Sequence, residues 1–340
     1  MLRFLHTSDV HLGRAFGYLG PHARKQQERL AEAFLMTCKL GRENKCDLMV
    51  IAGDLFDSNR IAQHWVRVAL DGIQEFGVPV VVIPGNHDPA LKHPFSSGNL
   101  PSNLHWLSED TIYQIPSLEM SIHTKHPPDL QRTGRPFEIA LLHGSIAGGL
   151  VPPTVDTLAL NDLNRSGMDY IALGDWHSLS KQSDNIYYSG SPEMVMPNQA
   201  LPGSVLIVEL DKGSAQVSPL TTGKCRRLSD EHIELDTFET IEALIGKIGS
   251  FASDEVVARI VLEGKWNGKD SLSIDDIESE LAGRYLSLQI ESKALSYGDA
   301  SAEGLLAGTF KRWIEEREEE PDIRQEALQL GLHLLQGGRI

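Results

Sequence analysis

Cysteine is scarce in this sequence: Cys38, Cys46 and Cys225 are all that 340 residues contain. An odd number without close metal-ligand spacing argues against a disulfide framework and against a zinc ribbon. Long apolar runs are lacking as well. The best candidates, such as Val78 to Ile83, have the length of a buried strand, so no membrane span is expected. Met1 to His11 has none of the basic, apolar and small-residue regions of a secretory signal, and a cytoplasmic protein is expected. There are no internal repeats and no low-complexity linker, only the short acidic run Glu315 to Glu320, which reads most simply as a solvated helix face. Positive charge is short too. With 31 Lys/Arg against 47 Asp/Glu the net charge is −16, the opposite of the basic footprint that phosphate binding usually leaves. The deficit is uneven, however. Residues 1–100 hold 11 Lys/Arg and 10 Asp/Glu, whereas residues 201–340 hold 15 and 26. Bound divalent cations would offset carboxylates that a formal count treats as bare charge.

What the chain does have is a hydrophobic content of 41%, enough for a packed core. Its length predicts one large domain and at least one smaller module. Short β-branched runs alternate with helical patterns from the start: strand Leu2 to Ser8, helix Arg24 to Glu43, strand Asp47 to Ala52, helix Ala62 to Phe76, strand Val78 to Ile83. A second series follows, with strands at Glu138 to Leu142, Tyr170 to Leu173, Ile186 to Ser189 and Ser204 to Leu210, and a helix near Leu158 to Ser166. This pattern predicts an α/β sheet covered by helices over residues 1–225. Residues 226–298 predict a small α+β module: strands His232 to Leu235, Val256 to Glu263 and Leu286 to Glu291, with helices Ile241 to Phe251 and Ile274 to Leu281. A helical tail, 299–340, breaks at Pro321.

Four predicted strands end in polar clusters: Asp9-Val10-His11, Gly53-Asp54-Leu55-Phe56-Asp57, Gly85-Asn86-His87-Asp88 and Gly174-Asp175-Trp176-His177. A fifth, Leu142-His143-Gly144, follows another apolar run. Ligand sites in α/β sheets form at the carboxyl ends of strands, so these five ends are expected to converge. Residues i and i+2 of an extended segment point the same way, which would let Asp9 and His11 grip one ion together and bring His177 beside Asp175. Glycines 53, 85 and 174 permit close backbone approach. The mixed imidazole, carboxylate and amide set suits Mn, Fe or a similar divalent ion.

These motifs, in this order, resemble the signature of the calcineurin-like metallophosphoesterases. More narrowly, the stretch His6 to Arg14, Ala52 to Asp57 and Pro84 to Asp88 resemble the SbcD-type DNA repair exonucleases, and Tyr187 to Glu193 fits the same pattern. The resemblance covers roughly the first 190 residues. It implies a four-layer α/β/β/α sandwich, a small capping domain, two metal ions and phosphodiester hydrolysis. It further implies DNA as substrate, a coiled-coil ATPase of the SbcC type as partner, and a homodimer. Carried over by position, Asp9, His11 and His177 hold the first metal, Asn86 and His143 the second, and Asp54 bridges them. His87 stands where the family has its general acid. One motif departs: the family usually has Gly-His-x-His, and here Asp175 takes the place of the first histidine. A carboxylate there makes the second site harder and more anionic, which favours Mn(2+).

Taken singly, Asp57, Asp88 and Asp169 read as turn or cap residues. His22, His64, His93, His123, His126, His232 and His333 read as surface or loop residues, and His6 and His105 receive no role. The stripe Trp65, Ala69, Leu70, Ile73, Phe76 reads as a core face. Leu305, Leu306, Phe310, Trp313 and Ile314 form a tail stripe that must pack on the protein or on a partner. Two rival functions stay open: a phosphodiesterase or phosphatase acting on nucleotides or small molecules, and a weakly active scaffold for an ATPase.

Overall fold

The computed structural model describes residues 1–91, 93–96, 100–108, 110–127, 129–147, 157–211, 213–228, 230–268, 272–297, 310–314, 323, 327–328 and 330–331. The chain divides into two compact units, Met1–Arg227 and Leu228–Ile340. In the first, the elements are β1 (Leu2–Thr7), α1 (Ala23–Glu43), β2 (Leu48–Ala52), α2 (Gln63–Phe76), β3 (Val80–Ile83), β4 (Leu104–Trp106), β5 (Ile112–Ile115), β6 (Met120–His123) and β7 (Phe137–His143). There follow β8 (Ser145–Ile146), β9 (Thr157–Leu158), α3 (Leu160–Arg165), β10 (Tyr170–Gly174), β11 (Ser180–Ser183), β12 (Ile186–Tyr188), β13 (Ser204–Asp211) and β14 (Ser214–Thr221).

Two six-stranded mixed sheets result, in the orders β14-β13-β1-β2-β3-β4 and β11-β12-β10-β7-β6-β5. Within each, four neighbouring strands are parallel: β1 to β4 in one, and β12, β10, β7 and β6 in the other. Side-chain alternation decides what each face meets. Phe4, Leu48, Val50 and Ala52 from the first sheet share a core with Ile122, Ile139, Leu141, Tyr170 and Ala172 from the second. One residue along, Ala140, Leu142, Ile171 and Leu173 turn the other way and meet Leu163 of α3. A one-residue slip would exchange these sets. Since burying one large aliphatic side chain contributes about 1.5–3 kcal/mol, the register is firmly fixed. Helices α1 and α2 lie against one another in the same unit, with Leu30, Phe34, Ala69 and Ile73 fully buried. The layers are therefore α/β/β/α.

The strands β4, β5, β6, β11 and β14 lie beyond the sequence expectations. They are short or, like β14, expose alternate residues and carry Pro219, which an edge strand tolerates because its outer N–H is not needed in the ladder. The expected helix from Leu158 to Ser166 begins later, since Thr157 and Leu158 pair with β8.

The second unit alternates β15 (Glu231–Glu234), α4 (Ile241–Gly249), β16 (Val256–Trp266), α5 (Ile274–Leu281) and β17 (Ser287–Tyr297). β16 pairs in parallel with both β15 and β17. Thr240 and Ser273 cap the two helices by accepting the N–H of Ala243 and Asp276, satisfying donors that the first turn leaves open. Phe310–Ile314 is helical, with Trp313 exposed and Ile314 buried. Leu305, Leu306, the acidic run Glu315 to Glu320, His333 and most of the expected second tail helix lie outside the described residues. Among the described residues no helix is long and apolar enough to cross a membrane.

At the carboxyl end of β10 the sheets come so close that a Cβ on Gly174 would lie 1.9 Å from the Ala52 carbonyl oxygen. Backbone cannot move aside as a side chain can. Gly174→Ala is therefore expected to destabilise the fold by about 1–3 kcal/mol. A thermal melt checks this, and an unchanged melting temperature would mean that the strand ends can part freely.

Candidate metal centre

The loops after β1 and β2 are zipped together by their backbones. Asp9 N–H donates to Gly53 O at 3.1 Å, His11 N–H to Asp54 O at 2.9 Å, Leu12 N–H to Leu55 O at 3.0 Å and Asp57 N–H to Leu12 O at 3.0 Å. This zipper holds Asp9, His11 and Asp54 in left-handed conformations, with φ of 53°, 51° and 52°. Such residues cost on the order of 1–3 kcal/mol each and persist where surrounding structure imposes them. The expectation of an extended Asp9-x-His11 segment is thus wrong. The strand stops at Thr7, and the two side chains meet because of a left-handed turn and not because of strand parity.

They meet nonetheless. Ligand atoms of Asp9, His11 and His177 lie within 4.8 Å of one another, as do those of Asp9, Asp54 and His143. His11 Nε2 is 3.3 Å from His177 Nε2 and 3.7 Å from Asp54 Oδ2. Asp54 Oδ2 is also 3.5 Å from His143 Nε2, so this one oxygen lies between the two groups. The expected pairing of Asp175 with His177 divides: Asp175 Oδ1 faces His143 Nε2 at 3.9 Å, while His177 faces His11. Asp175, at φ 103°, also donates its N–H to Asp9 Oδ1 at 3.0 Å. Ser8 Oγ donates to the other Asp9 oxygen.

His143 donates from Nδ1 to Ala52 O at 2.8 Å, which fixes the ring and leaves Nε2 aimed at Asp54. That Nε2 is buried and makes no hydrogen bond to any described residue. A nitrogen held this way, with a backbone carbonyl behind it, is what metal ligation by histidine uses. Gly53, at φ 83°, makes room for the ring, since a Cβ there would lie 2.3 Å from His143 Nδ1. The donor set fits a pair of divalent cations.

His87 is set differently. Its N–H donates to Asp54 Oδ1 at 2.9 Å, but its side chain is 41% exposed at the mouth, with Nδ1 3.2 Å from the Asp57 carbonyl. Asn86 is exposed in the same loop. The loop is braced by the buried Asp88 carboxylate, which accepts the N–H of Gly85 at 2.8 Å and of Phe56 at 3.0 Å. His93 Nε2 lies 3.3 Å from Asp88 Oδ2.

Several of these residues were not legible as site residues. Asp57 joins His11 and His87 in a third group of close ligand atoms, with Oδ1 3.2 Å from His11 Nδ1 and 3.0 Å from Arg14 Nη1. His93, expected at the surface, is buried behind the site. His123 is likewise buried, against Glu138 at 2.7 Å, and His6 lies in the core with Nδ1 3.0 Å from the Tyr170 hydroxyl. Neither belongs to the centre.

Concentrated charge shifts the acids and bases. Burial raises Asp9 to about 6, partly opposed by His143. Burial would raise Asp54 too, but His143 outweighs it and holds this carboxyl well below its ordinary range. Burial would lower His143, yet the Asp54 carboxylate reverses the sign and takes it to about 10. His177 falls to about 3, through burial and then repulsion from His11.

Two consequences follow for the metal-free protein. Because His143 is raised from its ordinary 6.5 to about 10, its contribution to stability is complete below pH 6.5 and is lost as pH rises towards 10. At pH 8 it carries a proton that a ligand must give up, so adding Mn(2+) is expected to release about one proton. Calorimetric titration in buffers of different ionisation enthalpy measures this number. No proton release at pH 8 would show that His143 is already neutral.

The model for the calcineurin-like phosphoesterases matches residues 2–197. Over 220 residues the chain is 31% identical to the uncharacterized metallophosphoesterase YhaO of Bacillus subtilis (strain 168), covering 56% of this chain and 53% of that one. Over 233 residues it is 25% identical to the DNA double-strand break repair protein Mre11 of Methanopyrus kandleri, covering 56% and 49%. The chain thus spans about half the length of these relatives. Among solved structures, TT1561 of Thermus thermophilus is similar at 12% identity with a TM-score of 0.41, covering 64% of this chain and 98% of that one. With its motif-bearing strand ends inside the matched span, this chain belongs to the calcineurin-like phosphoesterase family, whose members are metal-dependent phosphoester hydrolases.

Proposed function

We propose that the protein is a two-metal phosphodiesterase that trims DNA ends in repair. The observation that carries the chemistry is the pair of overlapping ligand groups around Asp9 and Asp54. Asp9, His11 and His177 would hold one ion, Asn86, His143 and Asp175 the other, with Asp54 shared. Two divalent ions in such a cluster supply Lewis acidity to a phosphate and lower the pKa of water. The carboxylate of Asp175 adds a hard oxygen donor and favours Mn(2+).

The remaining work falls to side chains. The Asp57 carbonyl engages His87 Nδ1, so Nε2 is the nitrogen that passes a proton to the departing oxygen. Only the backbone of His87 touches Asp54. His87→Ala is therefore expected to keep Mn(2+) occupancy while lowering turnover by about two to four orders of magnitude. Loss of metal in step with activity would make His87 a ligand.

DNA as substrate is supported by the similarity to Mre11 of Methanopyrus kandleri and by the balanced charge of residues 1–100. The net charge of −16 favours a second reading, hydrolysis of a nucleotide or other small phosphodiester. Mn-dependent assays on end-labelled single-stranded and duplex DNA, beside a small chromogenic phosphodiester, separate the two: cleavage of the small compound alone would end the nuclease reading.

The proposal extends to a cytoplasmic homodimer that works with a coiled-coil ATPase of the SbcC type, docked through the C-terminal segment. The exposed Trp313 supports an apolar contact there, and the acidic residues beside it would make that contact salt-sensitive. Deleting residues 304–340 is expected to abolish co-elution with such an ATPase while sparing hydrolysis of the small phosphodiester. A truncated chain that unfolds would instead assign the segment to intramolecular packing.

A further inference from the structure

The first turn after the metal motif leads from the centre to an aromatic rim. Arg14 is pinned by its backbone, its N–H donating to His11 O at 3.1 Å and its carbonyl accepting Gln27 Nε2 at 2.8 Å. Its guanidinium pairs through Nη1 with Asp57, the same carboxylate that faces His11 and His87. The guanidinium carbon lies 5.7 Å from the ring centre of Phe16. Phe16 is buried, in a left-handed conformation at φ 51°, and its ring meets that of Tyr18 edge-on at 6.2 Å. Tyr18 is 55% exposed, yet its ring is not loose, because its hydroxyl donates to Val195 O at 3.2 Å. The adjoining Met196 is 37% exposed. An unbroken run of contacts thus connects His87, Asp57, Arg14, Phe16 and Tyr18, ending in a fixed aromatic ring open to solvent.

An exposed aromatic ring secured at its hydroxyl gains little for the fold from its exposed face. What such a face offers is a flat apolar surface tied by that run of contacts to the metal centre. Nucleobases stack on such rings with little regard to sequence, and a guanidinium offers five donors in a fork that matches phosphate oxygens. We propose that Tyr18 is the stacking platform for a nucleobase next to the scissile phosphate, and that Arg14 contacts the phosphate on that side. The proposal rests on the nuclease reading and makes it specific: the substrate reaches the centre as an unpaired nucleotide whose base is splayed onto the rim.

The test uses the full-length Mn-loaded protein, Tyr18→Ala and Tyr18→Phe, with a single-stranded oligonucleotide and its counterpart carrying an abasic residue at the stacking position. For the intact oligonucleotide, Tyr18→Ala is expected to raise KM by about 5- to 100-fold with little change in kcat, and Tyr18→Phe to stay near wild type. The Phe variant loses the Val195 bond but keeps the ring and its edge contact with Phe16, so any loss it shows should be smaller than that of Tyr18→Ala. On the abasic substrate the difference between wild type and Tyr18→Ala should vanish. Equal KM values for wild type and Tyr18→Ala on intact DNA would overturn the platform, as would the same loss on both substrates, which marks a structural role. Tyr18→Leu fills the same space without a ring, so it should resemble the alanine variant, and wild-type behaviour from it would also overturn the proposal. A wild type that cleaves no oligonucleotide would overturn the nuclease reading itself, an outcome distinct from these.

Discussion

The carbonyl of Ala52 ties the two sheets together at the edge where the centre lies. It accepts the His143 Nδ1 proton at 2.8 Å, and it occupies the space that any side chain at position 174 would need. β2 carries that carbonyl in one sheet, while β7 and β10 deliver His143 and Gly174 in the other. The distance between sheets is therefore set locally by backbone contact and one hydrogen bond, and both ligand groups inherit it. Asp54 follows Ala52 by two residues and Asp175 follows Gly174 by one, so each faces its counterpart across a gap that cannot widen without breaking the His143 bond.

Around this link the structure accumulates unfavourable features that a bound cation would help to offset. Asp9, His11, Asp54 and Asp175 all have positive φ. Asp9 and Asp54 are buried with almost no exposure; burial prevails at Asp9 and raises its carboxyl, whereas the His143 imidazole prevails at Asp54 and lowers it. Buried carboxylates without compensating charge are costly. Here part of the compensation comes from His143 holding a proton, and metal binding replaces that proton with a larger charge. Asp88 and His93 do comparable work behind the site, fastening the loop that carries Asn86 and His87 to Phe56 and so to the β1–β2 zipper.

Much of this was legible in the sequence because strands and ligands are local. An apolar run such as Leu48 to Ala52 must be a strand, and an acidic cluster at its end must lie at the sheet's rim. The parts that were not legible depend on contacts between segments. Nothing local distinguishes Asp57 from a turn residue; its place between His11, His87 and Arg14 arises only when two loops zip together. His93 and His123 read as surface residues because a lone histidine in a loop usually is one, and each is buried here by a carboxylate partner, Asp88 or Glu138, that spacing alone does not identify. Extended geometry for Asp9-x-His11 was the natural assumption from strand parity, and it failed because the zipper imposes left-handed turns. The edge strands β11 and β14 escaped because none of their residues is fully buried and their many polar residues leave too weak an apolar pattern to read.

The pairing of β1 has a consequence for how the chain acquires this site. β1 lies inside its sheet, with β2 on one side and β13 on the other, Leu2 opposite Leu210 and His6 opposite Leu206. β1 must therefore wait for a segment about two hundred residues later in the chain before its second edge is covered, and contacts so distant along the chain form slowly. His177 arrives nearly as late, so Asp9 and His11 wait through more than 160 further residues for their third companion. Newly made chains would hold an uncovered, strongly apolar strand edge during that interval, the condition in which chaperone protection matters most.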